Sequence, residues 1–331
     1  MARQRFRIGG DRQPALDIVS YGRRGVDHPG RFTPEQVAQI ARTVRRSPEV
    51  MVKVSGGGST PGAVAAHFQY ISRNGELELE TGDGDRVQGK EDVSSLVDNW
   101  DLDLDVMTDR DNYRMRGGRT PTPKLVHNIV LSMPARTPPE KLLAACRAFA
   151  REEFGLQHRY ALALHTDQDH PHVHLVVSAH RNEGGRLNIR KTDLRRYREQ
   201  FARQLRAQRI EANATPAQIR GRLSHHVNDG RYRAAQRGES RMEWQQAWRV
   251  ADAALSASAE KDSQQAVVTA NSVERDWLAT GAVLERQGLG ALAAEVERFQ
   301  RSLRVLGATP DRTGLGQAPQ ERPPRPPELL R

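Results

Sequence analysis

The chain has 331 residues, of which 37% are hydrophobic, and it carries one cysteine and a formal net charge of +10. The single cysteine, Cys146, excludes an intramolecular disulfide, and no apolar run approaches the ~20 residues that a membrane-spanning helix needs. Because the N-terminus lacks the apolar segment of a signal peptide, we expect a cytoplasmic protein without membrane insertion.

The charge is unevenly distributed along the chain. Residues 76–112 carry 13 Asp/Glu and 3 Lys/Arg, whereas residues 181–250 carry 17 Lys/Arg and 7 Asp/Glu. Only one of those 17 basic residues is a lysine, and the planar fork of arginine matches phosphate groups. The bias favours a nucleic-acid partner, although helices with solvated basic faces would carry the same charge.

The first third of the chain alternates short helices and strands. Residues 1–48 are expected to form an extension that ends in a short helix from Thr33, and "VMVKVS" (50–55) is typical of a strand. A helix is predicted from the Thr60 N-cap, with Pro61 in its first turn, to about Arg73. The next predicted elements are a short strand over 75–80 and a helix near 90–100.

The middle of the chain continues the same alternation. Strands are predicted over 126–134, 159–165, 172–178 and 186–189. One helix is expected to open at Thr137-Pro138 and to end at Gly155, and a second is expected to be capped by Thr192. This order predicts an α+β fold, with a mainly antiparallel sheet of about five strands flanked by helices.

The remainder of the chain is predicted to be helical and polar, with a Pro/Arg-rich, disordered tail. Trp244, Trp248 and Trp277 are the expected packing anchors of that helical region. The predicted segments are an extension over 1–48, a main domain over 49–215, the helical region over 216–308 and the tail over 309–331.

The segment "HTDQDHPHVHLVVS" (165–178) concentrates four histidines and two aspartates before it becomes apolar. Because side chains alternate between the two faces of a strand, His172 and His174 are predicted to share one face. Val173 and its apolar neighbours then point to the other face, into a core. The pattern indicates either a metal site or a flexible polar loop.

A hairpin with the preceding strand adds a third histidine to this face. His165 ends that strand, and pairing across the loop sets it beside His172. Ala161 and Ala163 share its face, and their small side chains are expected to leave open space beside the imidazoles. Three neutral imidazoles suit a divalent cation, preserve its charge and leave a position for an oxygen ligand.

Tyr70 is the candidate nucleophile. On its predicted helix, Val64, Phe68 and Ile71 form the core stripe, and Tyr70 lies about 120–160° away from that stripe. A phenol is a weak nucleophile until it loses its proton, and a nearby cation would offset part of that cost. A solvent-facing surface tyrosine is the alternative interpretation.

Three segments together resemble the motifs of one enzyme family. The segments "HFQYISRNGELELE", "HNIVLSMP" and "HTDQDHPHVHLVVS" are similar, in order and rough spacing, to the three motifs of the P-type (MOBP) conjugative relaxases. These mobilization nucleases of the HUH endonuclease superclass include the T-DNA border endonuclease. The resemblance covers residues 50–210, the serine segment is the weakest of the three, and no helicase or primase domain is expected to follow.

The resemblance implies a DNA relaxase that nicks single-stranded DNA at a transfer origin and initiates conjugative transfer or mobilization. Tyr70 would form a 5′-phosphotyrosyl adduct, and Asp167 would orient a ligand or accept the phenol proton. The implied ligands of a divalent metal (Mg²⁺ or Mn²⁺) are His165, His172 and His174. The expected DNA contacts are Arg73, Ser132, His170, Arg190 and Lys191. Accessory relaxosome proteins, a coupling protein and a secretion channel are the implied partners.

Other functions stay open at this point. A non-cleaving accessory protein of DNA transfer would need only the basic region, and a rolling-circle replication initiator would share the histidine pattern. In an initiator, however, the histidines would precede the tyrosine. A zinc protease is disfavoured because the chain has no His-Glu-x-x-His helix. The segment "SGGGSTPG" fits either a phosphate-binding loop or a plain connector.

Overall fold

The computed structural model describes residues 31–103, 105–106, 123–220, 271 and 273–308. Trp244, Trp248, the Pro/Arg-rich tail and most of the predicted extension lie outside these residues. Among the described residues, the chain forms two compact units. One unit contains residues 33–215, and the other contains residues 31–32 and the described residues from 216 onward.

The unit of residues 33–215 is built on a six-stranded antiparallel sheet. The strands are β1 (Met51–Gly56), β2 (Leu79–Thr81), β3 (Arg86–Val87), β4 (Val126–Ser132), β5 (Tyr160–His165) and β6 (His172–Ser178). Their order across the sheet is β1-β4-β6-β5-β2-β3. This architecture confirms the predicted α+β class and adds one strand, because the short β3 pairs with β2 in a hairpin.

Five helices of this unit lie wholly within the described residues. They are α1 (Pro34–Val44), α2 (Pro61–Ile71), α3 (Lys90–Asp98), α4 (Pro139–Phe154) and α5 (Lys191–Ala207). The strand predicted over 186–189 is wrong, since that segment contributes only an isolated bridge between Arg186 and His180.

Helix termini follow the capping residues that the sequence provides. Thr33 and Thr60 cap α1 and α2 with their hydroxyl oxygens, as predicted. Helix α4 begins later than expected, because the Thr137 hydroxyl donates to a preceding carbonyl instead of capping the helix. Helix α5 begins earlier, because the carboxylate of Asp193 accepts the backbone N–H of Arg190.

Helices cover the sheet on both faces. On one face, α4 and α5 bury an aromatic cluster that includes Phe149 and Phe201 against the apolar side of β6, including Val173. On the other face, α2 and α3 pack Phe68 against Trp100, with ring centroids 5.1 Å apart. The predicted division of β6 into an apolar face and a histidine-bearing face is therefore observed.

Helix α1 is integrated into this unit, although the sequence had placed it in an extension. The side-chain amide of Asn213 donates to the Thr43 hydroxyl oxygen at 3.1 Å and to the Glu49 carboxylate at 3.2 Å. The backbone N–H of Val50 donates to the Asn213 carbonyl, which connects the start of β1 to the end of the unit.

The single cysteine of the chain, Cys146, is a buried free thiol on helix α4.

The second unit contains two consecutive helices, α6 (273–286) and α7 (Gly290–Ala308). Trp277 is fully buried, packs against Phe299 with ring centroids 5.1 Å apart, and donates from Nε1 to the Ile219 carbonyl. It is thus the packing anchor that the sequence predicted.

Within the described ranges, no helix combines the length and the apolarity that crossing a membrane requires.

Candidate active site

Three histidines converge at one end of the sheet. His165 is the direct cross-strand partner of His172, and His174 lies two residues further along β6 on the same face. The three ring centroids are 4.5 to 5.2 Å apart, and one ligand atom from each ring lies within 4.8 Å of the others. The donor set and its spacing fit a divalent cation.

Backbone carbonyls orient two of these rings. The Nε2 of His165 lies 2.7 Å from the carbonyl oxygen of Ile71, and the Nδ1 of His172 lies 3.1 Å from that of His170. A carbonyl oxygen can only accept, so each of these nitrogens carries the ring hydrogen. The opposite nitrogens, Nδ1 of His165 and Nε2 of His172, carry the lone pairs; that of His165 faces the Arg73 guanidinium at 3.4 Å, so a bound metal ion would take the place of this contact.

Burial keeps two of the three rings in the neutral form that binds metal. Burial, with the neighbouring His165 and His172, lowers the pKa of His174 to about 3, and burial also lowers the pKa of His165. Both rings are therefore neutral at pH 7. Metal binding requires neutral imidazole, so these two ligands need not lose a proton first.

The two alanines beside the histidines were expected to leave open space, but the structure gives them a packing role. Ala161 and Ala163 do not leave open space, because they are buried against helix α2 in the same core cluster as Val64 and Phe68. A larger side chain at either alanine would hold α2 away from the sheet. The two alanines instead bring the helix, and the tyrosine it carries, close to the histidines.

Tyr70 lies beside the histidine group and outside the core. Its side chain is 57% exposed, and its ring meets that of His174 edge-on with centroids 6.1 Å apart. The apolar stripe of α2 predicted this orientation, and the structure confirms that its residues Val64, Phe68 and Ile71 are fully buried. The structure therefore brings the candidate nucleophile and the candidate metal ligands to one site.

Arg73 joins this site through an unusual turn. Arg73, Asn74 and Gly75 all have positive φ (52°, 57° and 90°), a conformation that reverses the chain directly after α2. The guanidinium carbon of Arg73 then lies 5.4 Å from the centre of the Tyr70 ring. Its Nη2 contacts the Asp167 carboxylate at 2.5 Å and the Nδ1 of His165 at 3.4 Å.

This ion pair changes the expectation for Asp167. The carboxylate holds Arg73 rather than a ring N–H of a histidine, because the ring hydrogens of His165 and His172 are taken by backbone carbonyls. Asp169, the other aspartate of the loop, is exposed. In this geometry the Asp167 carboxylate holds the Arg73 guanidinium beside the Tyr70 ring.

His67 is a residue that the sequence analysis missed. Its ring stacks on Tyr70 with centroids 6.1 Å apart and meets that of His174 at 6.4 Å. Its Nε2 is buried and has no hydrogen-bond partner in the part of the chain that the structure describes. The available signal was helical spacing, because a residue three positions before Tyr70 shares its face.

Two other predicted DNA contacts are near the histidines but have structural partners. The Ser132 hydroxyl is buried and donates to the Pro171 carbonyl at 3.3 Å, which braces the turn into β6. The exposed His170 accepts the backbone N–H of Ala135 at its Nδ1. Their contact with DNA stays a prediction.

The basic helix is not at the site. Arg190 and Lys191 begin α5, which packs on the sheet face opposite to the histidines. Arg196 and Arg203 bind Glu153 and Glu152 of α4, and Arg206 donates to the Ala212 carbonyl. Burial lowers the pKa of Arg206 to about 10. These three arginines have partners within the unit, whereas contact of Arg190 and Lys191 with DNA stays a prediction.

The glycine-rich segment behaves as a packed connector. A Cβ at Gly57 would lie 2.2 Å from the Val126 carbonyl oxygen, and one at Gly58 would lie 2.6 Å from the Val64 side chain. The Gly58 carbonyl accepts the backbone N–H of Leu125. Glycine is needed here for close approach to β4 and α2, which favours the connector over a phosphate-binding loop.

Comparison with known proteins adds an independent observation. Residues 83–210 match the family model described as Relaxase: MobA/VirD2-like, nuclease domain. This range contains the three histidines, whereas Tyr70 precedes it.

Three curated relatives are each described as T-DNA border endonuclease VirD2, from Rhizobium radiobacter, Rhizobium rhizogenes and Agrobacterium fabrum. Each is 28% identical to this chain over 141 residues, which is 39% of the chain. The match spans 32%, 31% and 30% of the respective relatives, about a third of their length.

Proposed function

Since the chain carries a nuclease domain of the MobA/VirD2-like relaxase family, we propose that it nicks single-stranded DNA at a transfer origin through attack by Tyr70. The observation that carries the proposal is the convergence of Tyr70 with His165, His172 and His174. A nucleophile and a cation site on one phosphate are the two requirements of metal-assisted transesterification.

The proposed reaction exchanges one phosphoester bond for another. The Tyr70 oxygen forms a bond to phosphorus, the bond from phosphorus to the 3′ oxygen breaks, and that oxygen takes up a proton. The products are a 5′-phosphotyrosyl adduct and a free 3′-OH. Because the number of phosphoester bonds is conserved, the same site can rejoin the ends.

Each residue of the site has a defined task in this proposal. His165, His172 and His174 hold a divalent cation, Mg²⁺ or Mn²⁺, which when bound would draw negative charge from a phosphate oxygen. Arg73 places positive charge beside the tyrosine, where negative charge develops during attack. Asp167 positions Arg73. Tyr70 is more than half exposed, so its proton can leave to water or to Asp167.

His67 packs the Tyr70 ring in the attacking position. It stacks on that ring from the preceding turn of α2 and also contacts His174. A substitution that removes the stack would let the phenol swing away from the histidines. We therefore assign His67 a positioning role.

The proposal extends to the rest of the protein in the same terms. Residues 49–215 form the nicking domain, supported by α1. Single-stranded origin DNA, accessory relaxosome proteins and a coupling protein of a secretion channel are the proposed partners, and the cytoplasm is the proposed compartment.

A nicking assay tests the proposal. Labelled single-stranded oligonucleotides that tile the DNA around the gene are incubated with protein and Mn²⁺, and the products are separated on a denaturing gel. We expect one oligonucleotide to be cut at a single position by the wild type and not by Tyr70→Phe or after chelation of the metal. Cleavage by Tyr70→Phe at the wild-type rate would refute it.

A further inference from the structure

The histidine-bearing face of the sheet continues sideways beyond the histidines. Across β6, β4 and β1, His172 pairs with Ser132 and then Met51, while His174 pairs with Val130 and then Lys53. Directly paired residues of an antiparallel sheet point to the same face. Met51, Val130 and Lys53 therefore lie on the face that carries the metal ligands, and we call these three residues the β1 strip.

The β1 strip is accessible to solvent. Met51 is 48% exposed, Lys53 is exposed, and Val130 is partly exposed and belongs to neither core cluster. In the described residues only four large apolar side chains are exposed, and Met51 and Tyr70 are two of them. These two lie on either side of the histidines, so exposed apolar surface is available on both sides of the site.

Charge and distance suit a phosphate near the one that Tyr70 attacks. Lys53 forms no ion pair within the described ranges. Two strand spacings separate it from His174, which is about 10 Å between backbones. In stacked DNA one strand advances about 3.4 Å along the helix axis per phosphate, and an extended strand advances further, so a lysine about 10 Å away can reach a nearby phosphate.

From the histidines, the sheet face is open over β4 and β1 and is covered over β5 and β2. Helix α2 buries Ala163 of β5 and Leu79 of β2, so a strand held at Tyr70 cannot cross the sheet over β5 and β2. On the other side, β1 is the edge strand of the sheet, and no described helix packs on the β1 strip. As far as the described residues show, a bound strand therefore has an open route over β4 and β1.

We propose that the β1 strip binds one arm of the single-stranded DNA, with Lys53 on a phosphate and a base against Met51 and Val130. The proposal rests on the proposed function for the identity of the ligand. It adds a binding subsite on the edge strand that the sequence patterns did not indicate, since Lys53 lies in a segment recognised only as a strand.

Binding of fluorescently labelled poly(dT) at several salt concentrations tests the subsite without requiring cleavage. In a Tyr70→Phe background, Lys53→Gln should weaken binding several-fold and reduce the slope of log K against log salt by about 0.7, the loss of one phosphate contact on a single strand. Arg151→Gln is the matched control, because Arg151 is an exposed cation of α4 on the other face. It should leave both values unchanged.

A second pair of variants tests the apolar part of the subsite. Met51→Glu should weaken binding because it replaces the apolar contact with a base by a negative charge near the phosphates, whereas Leu156→Glu, at a side chain that is 92% exposed after α4, should not. If Lys53→Gln and Met51→Glu bind poly(dT) like their controls, the subsite is refuted while nicking stays unaffected. If nicking fails but these variants still weaken binding, the proposed reaction is refuted and the subsite stands.

Discussion

The Nε2 of His165 lies 2.7 Å from the carbonyl oxygen of Ile71, the residue that follows Tyr70. The hydrogen bond joins the last turn of the helix that carries the proposed nucleophile to one of the proposed metal ligands. It leaves the lone pair of His165 on Nδ1, and it connects α2 to the sheet. The tyrosine and the cation site are therefore positioned by one shared contact.

The turn after Ile71 should be sensitive to added volume. Gly75→Ala puts a Cβ 2.4 Å from the Gly89 carbonyl carbon at a positive φ, so it should lower the free energy of unfolding by more than about 1 kcal/mol. Gly84→Ala is the control, because Gly84 has a similar φ but nothing near its Cβ. Urea unfolding measures both, and equal losses would contradict the role assigned to this turn.

Removing the charge of Asp167 should loosen Arg73. Asp167→Asn is expected to slow adduct formation by roughly tenfold, which corresponds to about 1.4 kcal/mol of lost transition-state stabilisation, because Arg73 is no longer held beside Tyr70. Asp169→Asn, two residues away and exposed, should react at the wild-type rate. Single-turnover kinetics distinguish them. An unaffected rate in Asp167→Asn would show that Arg73 does not need this partner.

Metal binding should depend on the three strand-borne histidines and not on their loop neighbour. His174→Ala should lower the affinity for Mn²⁺ by more than about tenfold, because one of three protein ligands is lost. His170→Ala should retain it, since the Nδ1 of His170 bonds to the backbone of Ala135. Isothermal titration calorimetry measures both affinities, and equal affinities would rule out this ligand set.

Stability of the metal-free protein should fall in acid. The pKa of His174 is about 3 in the folded state and 6.5 when unperturbed, so below pH 6.5 the unfolded chain binds the extra proton. This residue should then reduce stability by at most about 1.4 kcal/mol per pH unit, and should have no effect above pH 6.5. Chemical unfolding across this range should give a shallower dependence for His174→Ala. An unchanged dependence would contradict the assigned burial.

The histidine group could be predicted because its arrangement depends only on residues that are close together in the sequence. Strand alternation placed His172 and His174 on one face, and a single hairpin was enough to add His165. The face that Tyr70 occupies followed in the same way from the periodicity of its own helix.

The features that the sequence did not reveal depend on contacts between distant segments. Ala163 packs against helix α2, and Arg203 pairs with Glu152 on helix α4. Neither contact has a periodicity that a single segment could reveal. Arg73 and Asp167 were both named as site residues, but their ion pair spans 94 positions and depends on the positive-φ turn.

The most direct test of the account identifies the residue that carries the DNA. The wild-type protein is incubated with Mn²⁺ and a cleaved oligonucleotide, digested with nuclease and protease, and analysed by tandem mass spectrometry. The account predicts a nucleotide linked through its 5′ phosphate to the Tyr70 oxygen, in the peptide that also contains His67. A nucleotide on any other residue, or complete cleavage without an adduct, would contradict it.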